Sequence, residues 1–133
     1  MKHFTIAEFV RSKTADRIAI DNKLPKELLP NVQALVDNVL DPLREAYGKP
    51  ITVTSGYRCQ ALNKAVNGSA TSDHMKGRAA DIAAGSQKEN RRLFYLIQEL
   101  GLDFDQLIDE KNFSWVHVSY RNDGNNRKQI LSL

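Results

Sequence analysis

The chain has 133 residues, enough to bury one core, and its 41% hydrophobic and 26% charged content excludes a disordered class. Its formal charge of +3 comes from scattered basic residues with no arginine-rich arm, which sets it against sequence-directed nucleic-acid binding. The single cysteine, Cys59, excludes an internal disulfide, and no apolar run approaches the roughly 18 residues that a membrane span needs.

The opening "MKHFTIAEFVRSK" has no apolar run of about 7 to 15 residues, so it does not read as a secretory signal. The expectation is a protein that is cytoplasmic as synthesised. Within that opening, Thr5 and Glu8 are spaced as a capping box and predict a short helix. Leu29, Val32, Val36, Val39, Leu40 and Leu43 then recur at the three-and-four spacing of one buried helical face. Pro42 falls inside that pattern and predicts a kink or break at Asp41, before Gly48 and Pro50 close the segment.

"ITVTSGY" is β-branched and alternating, the pattern of a strand running into a turn at Gly56. A short helix through Ala61, Leu62 and Ala65 follows, ended by Asn67 and Gly68. "AADIAA" reads as a short buried strand. Ser86 and Glu89 predict a second capping box, opening a helix with Leu93, Phe94, Ile97 and Leu100 inward and Gly101 as its stop. "FDQLIDE" and "WVHVSYR" alternate on either side of a short polar turn and predict a hairpin; "KQILSL" is a candidate last strand. The expected architecture is one α+β domain over residues 1–133. It has a small antiparallel or mixed sheet with a terminal β-hairpin, N-terminal helices and one long helix.

Between these elements lies "SDHMKGRAAD", with His74 and Asp81 separated by a glycine-containing turn at Gly77. A carboxylate inside a buried strand is costly without a metal or a cation beside it, so Asp81 points either to a metal site or to a salt bridge with Arg58. Catalytic zinc takes three protein ligands and keeps a position open. With one cysteine, the donors must be nitrogen and oxygen, and of the three histidines His3 reads as a surface residue. That leaves His74 and His117. His117 alternates with Trp115 and Ser119 on one strand face, with Val116 and Val118 on the other. A four-residue turn over Lys111–Ser114 pairs Glu110 with Trp115 and Ile108 with His117, so Glu110 lies diagonally beside His117, placed to act as a general base. A slip of one residue puts Asp109 there instead.

These residues resemble a family. "SDHMKGRAAD" fits the S-x-H-x-x-G-x-A-x-D pattern of the D-alanyl-D-alanine carboxypeptidase-like zinc metallopeptidases. "SGYRCQALNKAVNG" is similar to their segment with a substrate-binding arginine, here Arg58, and "WVHVSY" to the strand with the third zinc ligand. "FTIAEFVRSKTADR" and "VLDPLREAYGKPITVTSGYR" extend the likeness to the compact, endolysin-like branch found in phage and prophage genes. The resemblance implies one Zn²⁺ on His74, Asp81 and His117, and hydrolysis of peptidoglycan stem peptides as a carboxypeptidase or endopeptidase. It gives Arg58 a substrate carboxylate or the developing oxyanion to hold, and sets Ser72 and Trp115 beside the substrate. It also implies action on the cell wall after release by a separate route. Ser72 reads equally as a turn residue, and Trp115 as packing.

The chain departs from many relatives, which carry an acid three positions before the last histidine, where this chain has Ser114. The related hedgehog domain has an acid at the place of Glu110, in agreement with the hairpin register, which favours Glu110 over Asp109. The expected partner is a peptidoglycan peptide, with no nucleic acid, no membrane insertion and a monomeric state. The alternative is a zinc-stabilised module that binds cell wall or protein without turnover.

Overall fold

The computed structural model describes residues 1–133. Six α-helices and five strands build one mixed sheet of order β1-β2-β4-β3-β5, covered on one face by helices.

Thr5 caps α1 (Ile6–Val10) as expected, accepting from the Glu8 amide while the Glu8 carboxylate accepts from the Thr5 amide. Ser12 caps the next short helix, α2 (Lys13–Arg17). The apolar stripe from Leu29 to Leu43 forms α3 (Leu29–Leu35) and α4 (Asp41–Tyr47), joined without a break by a π-helical turn over Val36–Leu40. The irregularity therefore falls upstream of the break expected at Asp41. Pro42 has no amide to give, and the ladder widens before it, with the Asp41 amide reaching the Val36 carbonyl. The extra residue in that turn lets Leu35 join Val32, Val36, Val39, Leu40 and Leu43 in full burial.

Antiparallel pairing joins β1 (Thr52–Ser55) to β2 (Ala79–Ala83), β2 to β4 (Trp115–Ser119), and β4 to β3 (Gln106–Glu110). The candidate strand at the end is present as β5 (Gln129–Ser132), parallel to β3. The hairpin thus sits inside the sheet, with β5 as its edge. The long helix α6 (Gln87–Glu99) packs on β2, β3, β4 and α4, burying Leu93, Phe94 and Ile97. Leu100, expected inward, is 41% exposed because the helix has ended at Glu99 and the chain turns at Gly101. The second capping box is only half made: Ser86 caps the Glu89 amide, but the Glu89 carboxylate goes to Tyr47, Lys49 and Arg92.

Strand alternation divides the sheet. Val53, Ala80, Ile82, Leu107, Val116 and Val118 enter a 20-residue core with the helices. Asp81, Glu110, Trp115 and His117 fall on the opposite face by the same alternation. Gly56 follows β1 because a Cβ there would sit 2.6 Å from the Phe9 carbonyl oxygen. Close approach to α1, rather than the expected turn, accounts for that glycine.

Candidate metal centre

Two adjacent strands and one turn bring His74, Asp81 and His117 together. Asp81 and His117 are direct cross-strand partners in β2 and β4, so their side chains rise side by side from one face. His74 arrives from a 3-10 turn over Asp73–Lys76, opened by Ser72, whose hydroxyl accepts from the His74 amide at 3.2 Å. Gly77 closes that turn at φ +68°, in the left-handed region, with Val32 and the Leu28 carbonyl against it. The tight turn expected at Gly77 is therefore present.

The histidine ring of His74 is 3% exposed, and its Nδ1–H donates to the Gly56 carbonyl at 2.7 Å. That bond leaves the Nε2 lone pair free, 3.4 Å from Asp81 Oδ1. His117 turns Nδ1 toward the same oxygen at 3.0 Å. Burial acts to raise the Asp81 pKa, but hydrogen bonding and charge from His117 and His74 outweigh it and hold the carboxyl well below the usual range. One potential donor atom from each residue lies within 4.8 Å of the other two. Two imidazole nitrogens and one anionic oxygen, converging at a largely buried point, form a donor set suited to a divalent metal such as zinc. His3, by contrast, lies 3.7 Å from Glu45 and takes no part.

Arg58 is half-buried but does not form the salt bridge to Asp81 weighed from sequence. Its NH2 donates to Ser72 Oγ at 3.2 Å, and its Nε is buried without an acceptor. Burial lowers the Arg58 pKa, opposed by the nearby charges of Asp81 and Glu110. Ser72 therefore serves the turn and the arginine together.

The hairpin has the expected register, Glu110 opposite Trp115 and Ile108 opposite His117, across the turn Lys111–Ser114. Trp115 Nε1–H donates to Glu110 Oε2 at 2.7 Å. Asp109 falls on the other face and accepts from Ser132 Oγ at 2.6 Å. With Oε2 held by the indole, Glu110 keeps its other oxygen for a further hydrogen bond.

Two supporting residues and one backbone carbonyl have roles that the sequence did not indicate. Asn22, 7% exposed, donates to the Val10 and Tyr57 carbonyls and accepts from the Cys59 amide, bracketing Arg58 on both sides. Asn90, 3% exposed, accepts from the Ala84 amide and donates to the Phe113 and Ser114 carbonyls, tying α6 to β2 and the hairpin turn. The Gly56 carbonyl orients His74. Local pattern does not mark them, because every bond but that of Asn90 to Ala84 joins residues 12 or more positions apart.

Comparison with known proteins gives the chain a family. The family model described as Peptidase M15 matches residues 2–119. A zinc D-Ala-D-Ala carboxypeptidase from Streptomyces albus G is 51% identical over 49 residues, which are 36% of this chain. That match spans only 19% of the relative's length. The family match, by contrast, runs through all six α-helices and the first four strands. On that extent, the chain belongs to the peptidase M15 family.

Proposed function

We propose that this protein is a zinc-dependent peptidase acting on the stem peptides or cross-bridges of peptidoglycan. The observation that carries this reading is the convergence of His74, Asp81 and His117 donor atoms beside the acid Glu110 and the base Arg58, in a chain of the peptidase M15 family. The printed name of the Streptomyces relative, a zinc D-Ala-D-Ala carboxypeptidase, supports both the metal and the substrate class.

His74 Nε2, Asp81 and His117 Nδ1 would hold the ion. When bound, zinc supplies Lewis-acid chemistry, polarising the scissile carbonyl and making an attacking water easier to deprotonate. Glu110 takes the proton from that water and returns it to the leaving amine. Trp115 fixes one Glu110 oxygen through its indole N–H and leaves the other for this transfer. Arg58 presents guanidinium donors that Ser72 satisfies only in part, so it can grip a substrate carboxylate or the developing oxyanion.

Purified peptidoglycan incubated with the zinc-loaded protein should yield new amino and carboxyl termini, identified by mass spectrometry. Their position distinguishes terminal D-residue removal from internal cleavage. Zinc-loaded protein that yields none contradicts the reading and leaves a metal-stabilised binding module.

A further inference from the structure

β1 is an edge strand. It pairs with β2 alone, and the backbone of Thr52–Ser55 forms no hydrogen bond outside the sheet. Edges of this kind are usually covered or blunted. Here the free edge instead borders a cleft of about 600 Å³ that the Arg11–Thr14 segment also lines. Arg58 lines it too, and feels the charges of Asp81 and Glu110.

The charge of this cleft is one-sided. Arg11, Lys13 and Arg58 line it, and no acidic residue does. None of the three forms an ion pair with an acidic group. Arg11 also borders a second depression, beside Asp16 and Asp21, but forms an ion pair with neither. The same two segments carry the hydroxyls of Ser12, Thr14, Thr52 and Thr54, and Tyr57, Leu62 and Val66 complete the lining. A cleft with a free strand edge and unpaired cations suits an extended, anionic peptide.

We propose that the cleft binds the substrate peptide as a strand added to β1, with Arg11 and Lys13 receiving a carboxylate of that peptide. The identity of the occupant rests on the peptidase reading; the cleft itself does not. Ser55 is the cross-strand partner of Asp81, so the free edge lies one strand away from the strand that carries Asp81. An added strand lies two interstrand spacings, about 10 Å, from β2.

The test is an NMR titration of the zinc-loaded protein with a soluble stem pentapeptide carrying isoglutamate, and with its isoglutamine counterpart. The isoglutamate peptide should shift the amide signals of Thr52–Ser55. The double variant Arg11→Gln/Lys13→Gln should bind it about tenfold more weakly, with less than a twofold change for isoglutamine and the same zinc content. Unmoved β1 signals, or an equal loss for both peptides, would overturn the proposal. Hydrolysis with unmoved β1 signals removes the cleft and keeps the peptidase. The expected shifts and charge preference without hydrolysis keep the cleft and remove the peptidase.

Discussion

Asp81 meets two imidazoles on one carboxylate oxygen, and its neighbours decide what that arrangement can do. Glu110 is the acid on the same face, so Glu110→Gln should lower hydrolysis at least a hundredfold while zinc stays bound. Asp109→Asn, on the other face, should change the rate less than threefold; the reverse outcome in a steady-state assay would exchange their roles. Asn22 acts through Arg58. Removing its amide strips two hydrogen bonds from the loop that carries the arginine and a third that ties that loop to Val10. Asn22→Ala should cost about 1–3 kcal/mol in urea unfolding and raise KM more than it lowers kcat. These roles were unevenly legible. His74, Asp81 and Gly77 sit within ten residues, and strand alternation set His117 and Glu110 on one face. Asn22 and the Gly56 carbonyl bond across 35 and 18 positions, a separation at which local sequence pattern is silent.

Among the elements, the hairpin turn is the most strained. Lys111, Asn112 and Phe113 all have positive φ, at 47°, 54° and 61°, a region costly for residues with side chains. Asn90, Gln87 and the Phe94 ring hold that turn from α6. Asn90→Ala should therefore lower kcat by displacing Glu110 and Trp115, with zinc content unchanged. Helix α6 is itself anchored to α4 through Glu89, which accepts from Tyr47, at 2.5 Å, and Lys49. The Tyr47 hydrogen bond, then that of Lys49, hold the Glu89 pKa at about 2 against an ordinary 4.5. The folded value lies below the unfolded one, so this pairing contributes stability that is present above about pH 4.5 and lost as pH falls toward 2. Glu89→Gln should flatten that limb of the stability curve in denaturant titrations at graded pH. From sequence, Ser86 and Glu89 had the spacing of a capping box. The spacing is genuine, but a tyrosine and a lysine from another segment compete for the carboxylate and win.

Across the whole molecule, the helices cover one sheet face, and Asp81 and His117 of the candidate site lie on the other. The α+β class and the hairpin were readable because alternation and helical spacing are local. The placing of β5 beside β3 was not, since a parallel pairing across the hairpin is set by tertiary packing rather than by any run of residues. The central claim is that His74, Asp81 and His117 form a zinc centre. Metal analysis of protein purified without chelator tests it most directly, comparing wild type with His117→Ala. The expected result is about one zinc per wild-type chain and less than a tenth of that in the variant. A metal-free wild type with an intact fold, or a variant that keeps stoichiometric zinc, would contradict it.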